Sequence, residues 1–221
     1  MYVSARWFIL RLNTGIESLW EYPRRNGTPT TGRSKKMNGD SLTGNLVRLV
    51  AIDLDEDARL LSEWDRDSEF QRLLNSESAS RYNSKQVREF FEKEIDSMHF
   101  YMIQRLEDNR KIGLIDLNGI DWVSRSAWVG IGIGEREFWG KGYGTDAMKV
   151  LLRYAFTILN LQRVTLNVFD FNQRGYASYK KSGFKEEGRL PGALFKAGKR
   201  CDLIFMGILR SEWEELQNQT Q

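Results

Sequence analysis

Two residue types that build metal centres and covalent staples are almost missing from this chain. It has one cysteine, Cys201, and one histidine, His99, in 221 residues. A lone cysteine excludes an internal disulfide and any cysteine-based metal cluster. A lone histidine excludes a multi-histidine metal site; metal chemistry would have to rest on carboxylates, and none cluster at ligand spacing. Long apolar runs are missing too, since no stretch approaches the roughly 20 residues that span a bilayer. Trp7-Phe8-Ile9-Leu10 is bracketed by Arg6 and Arg11. It is too short for a signal-peptide core, and no small-residue cleavage site follows, so a cytoplasmic location is expected. With 41% hydrophobic and 29% charged residues, the chain has the balance of a globular protein of one sizeable domain plus extras.

The charge is unevenly placed. Residues 1–39 hold seven Lys and Arg against two acids, a net of +5, whereas the remainder has 26 bases and 28 acids, a net of −2. The basic character belongs to the tail and argues against a nucleic-acid-binding body. Residues 21–44 are rich in Gly, Pro, Thr, Ser, Asn and Arg, lack apolar periodicity and read as flexible. Residues 1–41 are therefore expected to form a basic extension, with 1–36 dispensable and Met37 a candidate start. An arm that touches RNA is the functional alternative.

Regular patterns begin near Leu46. Leu46–Ile52 reads as a strand, and Asp53 or Asp55 could cap a helix around Glu56–Trp64. A second amphipathic helix is expected over Lys85–Ser97, with Ser84 as its cap. Phe100–Leu106, Lys111–Leu117 and Ala127–Ile133 read as a meander of strands. The clearest helix is Thr145–Leu161, where Ala147, Met148, Leu151, Leu152, Ala155, Ile158 and Leu159 share a face. Arg163–Phe169 is a β-branched and aromatic strand, Asn172–Ser182 a short helix ended by Gly183, and Phe184–Arg189 and Asp202–Leu209 closing strands. The order β-α-α-β-β-β-α-β-α-β-β predicts an α/β fold: one mixed central sheet with helices on both faces.

Phe138-Trp-Gly-Lys-Gly-Tyr-Gly-Thr145 lies between the apolar run Ala127–Gly134 and the clearest helix. Alternating glycines at such a junction bare backbone N–H groups at a helix N-terminus, which favours a phosphate-bearing ligand. A P-loop is excluded because no G-x-x-x-x-G-K-[ST] string exists. A dinucleotide fingerprint matches Gly142-Tyr-Gly144-Thr-Asp-Ala147, with Asp170 at the end of the next strand, but that fold needs βα units that the remaining residues do not supply.

Trp139-Gly-Lys-Gly-Tyr-Gly144 also fits the Q/R-x-x-G-x-G/A loop of the GNAT superfamily of acetyl-CoA-dependent N-acetyltransferases, with Trp in place of Gln or Arg. Asn172-x-x-Gly175-x-x-x-Tyr179-x-Lys181-x-Gly183-Phe184 fits that family's N-x-x-A-x-x-x-Y-x-K-x-G-F, with Gly in place of Ala. With both motifs in register, the chain resembles this superfamily over residues 42–212, leaving 213–221 as a C-terminal tail. Its opening, Leu42–Leu49, resembles the ribosomal-protein N-terminal acetyltransferase branch.

The resemblance implies acetyl-CoA as co-substrate and an amine acceptor, a protein N-terminus or a small amine such as a polyamine or antibiotic. No membrane or nucleic-acid partner is expected, and a homodimer is left open. Backbone N–H groups across Gly140, Lys141, Gly142, Tyr143, Gly144 and Thr145 are expected to receive the pyrophosphate, with no Cβ in the way at the glycines. The pantetheine arm would add like a strand to Ile131-Gly132-Ile133, in a strand whose glycines suit a splay or a bulge. Asn172 and Tyr179, seven residues apart, share a helix face. The resemblance makes Tyr179 the general acid for the departing thiolate and Asn172 a cofactor contact; the plainer alternative is a helix cap and a packed ring. Glu135 is the first candidate base, with Asp116, Asp121 or a water chain as alternatives. His99 and Cys201 read as structural. Trp64, Trp122 and Trp128 could line the acceptor site, set by loops near 65–84 and 118–126. A cofactor-binding sensor without transfer activity is the competing class.

Overall fold

The computed structural model describes residues 40–76, 82–94 and 99–219. The basic extension up to residue 39, residues 77–81 of the expected acceptor loop, and residues 95–97 of the second expected helix lie outside the described residues.

A short strand, β1 (Val47–Val50), leads into three helices, α1 (Leu54–Asp65), α2 (Ser68–Leu74) and α3 (Ser84–Glu94). The meander β2 (His99–Arg105), β3 (Lys111–Asp121) and β4 (Ser126–Ile133) follows. After a 3₁₀ turn at Arg136–Phe138 come α4 (Tyr143–Thr157), β5 (Arg163–Phe169), α5 (Gln173–Lys181), β6 (Lys185–Lys196), β7 (Lys199–Leu209) and α6 (Arg210–Gln219). The strands form one seven-stranded sheet in the order β1-β2-β3-β4-β5-β7-β6. β4 and β5 run parallel; the other neighbours are antiparallel. The mixed sheet with helices on both faces is thus as expected.

Two cores flank the sheet. The larger gathers Ala147, Met148, Leu151, Leu152 and Phe156 of α4 against Ile115, Leu117, Val164 and Leu166 of the strands. The smaller holds Leu61, Trp64, Phe70, Val87 and Phe91 of α1, α2 and α3 against Met102 and Leu114. Alternate residues of a strand point to opposite faces, so β3 serves both cores at once.

Local chemistry places the helix starts. Asp53 caps α1 by accepting from the Asp55 N–H at 3.0 Å. α3 is capped by Asn83 rather than Ser84: its Oδ1 accepts from the Gln86 N–H while Gln86 Oε1 accepts from the Asn83 N–H, each at 3.0 Å. This reciprocal capping box outweighs a lone serine. Three elements depart from expectation. α2 was not anticipated. The β6–β7 hairpin runs on to a turn at Ala197-Gly198, where both residues have positive φ, 48° and 77°. The expected C-terminal tail from residue 213 belongs to α6, whose Trp213 ring packs 5.5 Å from Phe156. Apolar contact makes that segment helical despite its mostly polar composition.

Candidate active site

The parallel pair at the middle of the sheet comes apart. β4 and β5 pair from Ser126↔Arg163 to Trp128↔Thr165 and no further, although β4 stays paired with β3 up to Ile133 and β5 with β7 up to Phe169. The two strands therefore diverge from Val129 and Leu166 onward. The Gly134 N–H donates to the Ile112 carbonyl on β3. By strand alternation Gly132 also turns to β3, and the backbone groups of Ile131 and Ile133 face the gap. Trp139 Nε1–H reaches the Ile133 carbonyl from that open side at 2.6 Å. The expected splay is present, whereas the alternative of a bulge is not: the β3–β4 register is unbroken between Gly113↔Ile133 and Asn118↔Trp128. The glycines clear room for neighbours instead. A Cβ at Gly130 would lie 2.6 Å from Asp116 Oδ2, and one at Gly134 would enter the Trp64 indole.

A cavity of about 540 Å³ occupies the gap, lined by Trp128–Ile133 of β4, Asn167–Phe169 of β5, the glycine loop and the open face of α5. Gly140 and Gly142 both have positive φ, 75° and 91°, and Gly142 is the N-cap of α4. A Cβ at Gly140 would meet nothing within 4 Å, so its backbone conformation, not crowding, calls for glycine. Gly140, Gly142, Gly144 and Thr145 line the cavity. The side chains of Lys141 and Tyr143 turn elsewhere. Lys141 Nζ is 5.7 Å from the Phe138 ring, and the Tyr143 hydroxyl accepts from Arg105 Nε at 3.2 Å. Thr145 Oγ1 and Ser178 Oγ share a hydrogen bond of 2.8 Å that ties α4 to α5. Asp146, in the first turn of α4, accepts from the N–H groups of Asn45, Leu46 and Val47 and so seats the β1 entry beside the loop.

Tyr179 lines the cavity. Its ring meets Phe184 edge-on at 6.3 Å, and burial pushes its phenol up to about 12, so the group holds its proton at working pH. Asn172 also lines the cavity. It caps α5 by accepting from the Gly175 N–H at 3.0 Å, and its Nδ2 points to the Leu73 carbonyl at 3.5 Å. A Cβ at position 175 would sit 2.8 Å from that amide, which accounts for glycine in place of alanine there.

Glu135 does not line the cavity. Its carboxylate accepts from Trp64 Nε1 at 3.2 Å and from Arg110 at 2.9 Å, bracing the end of β4 against α1 and β3. Asp121 caps the β3–β4 turn, and the Ser124 and Val123 N–H groups with the Ser124 hydroxyl hold its pKa down. Asp116 is buried, and burial raises its carboxyl to about 7 despite the opposing hydrogen bond from Asn118. His99 is half-buried, kept neutral-leaning by desolvation, with its ring 6.2 Å from Tyr154. Cys201 is buried. Of the three tryptophans considered, Trp128 lines the cavity, Trp64 belongs to the smaller core and Trp122 is exposed.

Three of the residues not anticipated for the site come from α2: Phe70, Leu73 and Leu74 form one wall. The signal was present. Asp67 is a helix cap, accepting from the Glu69 and Phe70 N–H groups, and Phe70, Leu73 and Leu74 fall at i, i+3 and i+4. Lys149, Arg174 and Lys181 add positive charge to the lining.

Residues 47–185 match the acetyltransferase (GNAT) domain, well over half of the chain. The chain belongs to the GNAT acetyltransferase family. Over 109 residues it is 38% identical to YdaF of Bacillus subtilis, whose ribosomal N-acetyltransferase activity is inferred, covering 49% of this chain and 59% of that protein. Over 110 residues it is 38% identical to the spermidine N(1)-acetyltransferase of Vibrio cholerae, covering 49% of this chain and 63% of that protein. Each match thus spans less than two thirds of the curated relative. In three dimensions the crystal structure of the Vibrio cholerae spermidine N-acetyltransferase in complex with CoA and spermine superposes with a TM-score of 0.69 at 28% identity, covering 76% of this chain and 98% of that one. Among the described residues no helix is long and apolar enough to cross a membrane, and no group of three potential metal ligands occurs.

Proposed function

We propose that this protein transfers an acetyl group from acetyl-CoA directly to a primary amine, both substrates being held in the cavity, and that the amine is a protein N-terminus. The splay between β4 and β5 carries the reading. A pantetheine arm needs partners for two amides, and backbone groups of Ile131 and Ile133 face the gap. A diphosphate needs backbone N–H donors, and the loop at the start of α4 offers them beside a favourable helix dipole. A volume of about 540 Å³ lies in the range of cofactor sites.

When bound, acetyl-CoA supplies the thioester carbon that the amine attacks and the thiolate that departs. The chain's share is orientation and proton management. Tyr179, protonated because burial raises it to about 12, donates its O–H to the sulfur as negative charge builds there. The proton lost by the amine returns to the Tyr179 phenolate by way of water, so the transfer leaves the tyrosine as it began. Asn172 spends its oxygen on the cap of α5 and one amide N–H on the Leu73 carbonyl, which leaves its second amide N–H for the cofactor. We read Glu135 as a brace rather than the base, since Arg110 and Trp64 occupy its carboxylate.

The lining favours an acceptor with little positive charge beyond the reacting amine. Among the described lining residues the one carboxylate is Asp146, and three backbone N–H groups already occupy it. A polyamine would bring further ammonium groups that need negative partners. Phe70, Leu73, Leu74, Trp128 and Phe169 instead offer apolar and aromatic surface, as a peptide end requires. The names of the relatives support both acceptor classes: a spermidine enzyme and a ribosomal one.

Thiol release from acetyl-CoA, measured with free peptides, the same peptides blocked at the N-terminus, spermidine and an aminoglycoside, tests the reading. Release is expected with free peptides and not with blocked ones. A higher kcat/KM for spermidine would move the acceptor to polyamines. CoA binding without release for any acceptor would make the protein an acyl-CoA sensor.

A further inference from the structure

Trp139 and Arg174 meet across the mouth of the cavity. Trp139 follows the end of β4, and its Nε1–H bond to the Ile133 carbonyl, 2.6 Å, fixes the plane of the indole. Arg174 stands on the first turn of α5, on the β5 side of the gap, and its guanidinium carbon lies 3.9 Å over that ring. Both line the cavity. Arginines of the neighbouring elements are neutralised: Arg136 by Asp67, Arg72 by Glu69, and Arg110 by Glu135 and Glu137. Among the described residues Arg174 has no ion-pair partner; burial lowers its pKa and only the field of Glu69 opposes that.

A guanidinium stacked by one face on an indole keeps its edge N–H groups free to donate. It is also held in place before an anion arrives, so less side-chain freedom is lost on binding. The loop with Gly140 and Gly142 follows Trp139 directly and lines the same cavity. We propose that Trp139 is a platform that presents Arg174 to the diphosphate of the cofactor, so that the anion is held both by backbone N–H groups and by a preset guanidinium. Trp139 is then a positioning residue, and Arg174 the phosphate-binding one. This explains why the loop carries an indole where the GNAT pattern has Gln or Arg: the donor is supplied from α5, and the loop supplies its support. The inference rests on the acetyl-CoA reading of the cavity.

The test is calorimetric titration of CoA into the full chain and into R174A, W139A, W139F and the R174A/W139A double variant, paired with kcat/KM for acetyl-CoA and for S-acetylpantetheine, which lacks the diphosphate. R174A is expected to weaken CoA about tenfold, and W139A by somewhat less. The double variant should bind within about threefold of R174A alone, because Trp139 acts through Arg174. W139F, which keeps an aromatic face, should recover most of the affinity lost in W139A. The drop in kcat/KM for R174A should be at least several-fold larger with acetyl-CoA than with S-acetylpantetheine. CoA binding by R174A as tight as in the parent would overturn the proposal. So would equal losses with both acyl donors, or losses in the double variant that multiply. A parent chain that does not bind CoA would instead overturn the cofactor reading itself.

Discussion

Asp116 on β3 turns one carboxylate oxygen toward the bare Cα of Gly130 on β4, where a Cβ would lie 2.6 Å from it. The other oxygen accepts from Asn118 Nδ2 at 2.5 Å. The first has no hydrogen-bond partner and is fully buried. The two residues make one unit: the missing side chain on the cavity wall gives the carboxyl its room, and burial keeps it protonated well above the usual carboxylate range, to about 7, against the opposing bond from Asn118.

That protonation has a sign. In the unfolded chain Asp116 ionises near the ordinary aspartate value of 3.8, and in the fold near 7. The folded state therefore binds a proton that the unfolded state has already lost, and stability falls as pH rises from about 4 to about 7, by up to about 4 kcal/mol. Urea midpoints of the parent should decline across that window. Asp116→Asn, which cannot ionise, should flatten the decline and be the more stable protein at pH 8. An unchanged slope would show that Asp116 does not titrate as a buried lone carboxyl.

Gly134 closes β4 against α1, and a Cβ there would enter the ring of Trp64. Trp64 is 5% exposed in the smaller core. Gly134→Ala should cost roughly 1–3 kcal/mol, the usual range for overpacking, read as a lower thermal midpoint. A variant as stable as the parent would mean that α1 can shift away from the sheet.

The limits of reading this fold from its residues have physical causes. The meander, α4 and β5 were legible because short β-branched and apolar runs and a period near four survive without tertiary help. Their ends were less so: α4 begins at Tyr143, two residues before the expected Thr145, because Gly142 in the left-handed region is the cap. The first closing strand was expected to end at Arg189, whereas β6 runs on through Pro191 and Gly192 to Lys196. On an edge strand they are tolerated, and register shifts at Glu186/Gly188 and Leu190/Leu194 absorb them. In the site, the glycine loop and the Asn172–Tyr179 spacing could be found because each is local. The α2 wall, the Asn172–Leu73 contact and the stacking of Arg174 on Trp139 join segments far apart in the chain, and no periodicity encodes such meetings.

Glu135 separates a brace from a base. Its carboxylate bonds Trp64 and Arg110 and is outside the cavity lining. Glu135→Gln keeps a side-chain oxygen to accept one of these bonds, so kcat should stay within about threefold of the parent while the thermal midpoint drops modestly. A fall of about a hundredfold in kcat, the size expected for removing a general base, would return Glu135 to the chemistry.

Tyr179 gives the sharpest kinetic expectation. Its hydroxyl is the group on α5 that can follow the charge developing on sulfur. Deleting it leaves the ring, its packing against Phe184 and the loop that holds the cofactor. Tyr179→Phe should therefore lower kcat by about a hundredfold or more, with KM for acetyl-CoA within a few-fold of the parent. That split marks an interaction made mainly in the transition state. The pH profile adds an independent check. With Tyr179 pushed up to about 12 by burial, kcat of the parent should rise as the acceptor amine loses its proton and then stay level to pH 10. A descending limb below pH 10 that vanishes in Tyr179→Phe would mean that the bound cofactor lowers the phenol far below its resting value. Full turnover by Tyr179→Phe would remove the tyrosine from proton transfer altogether.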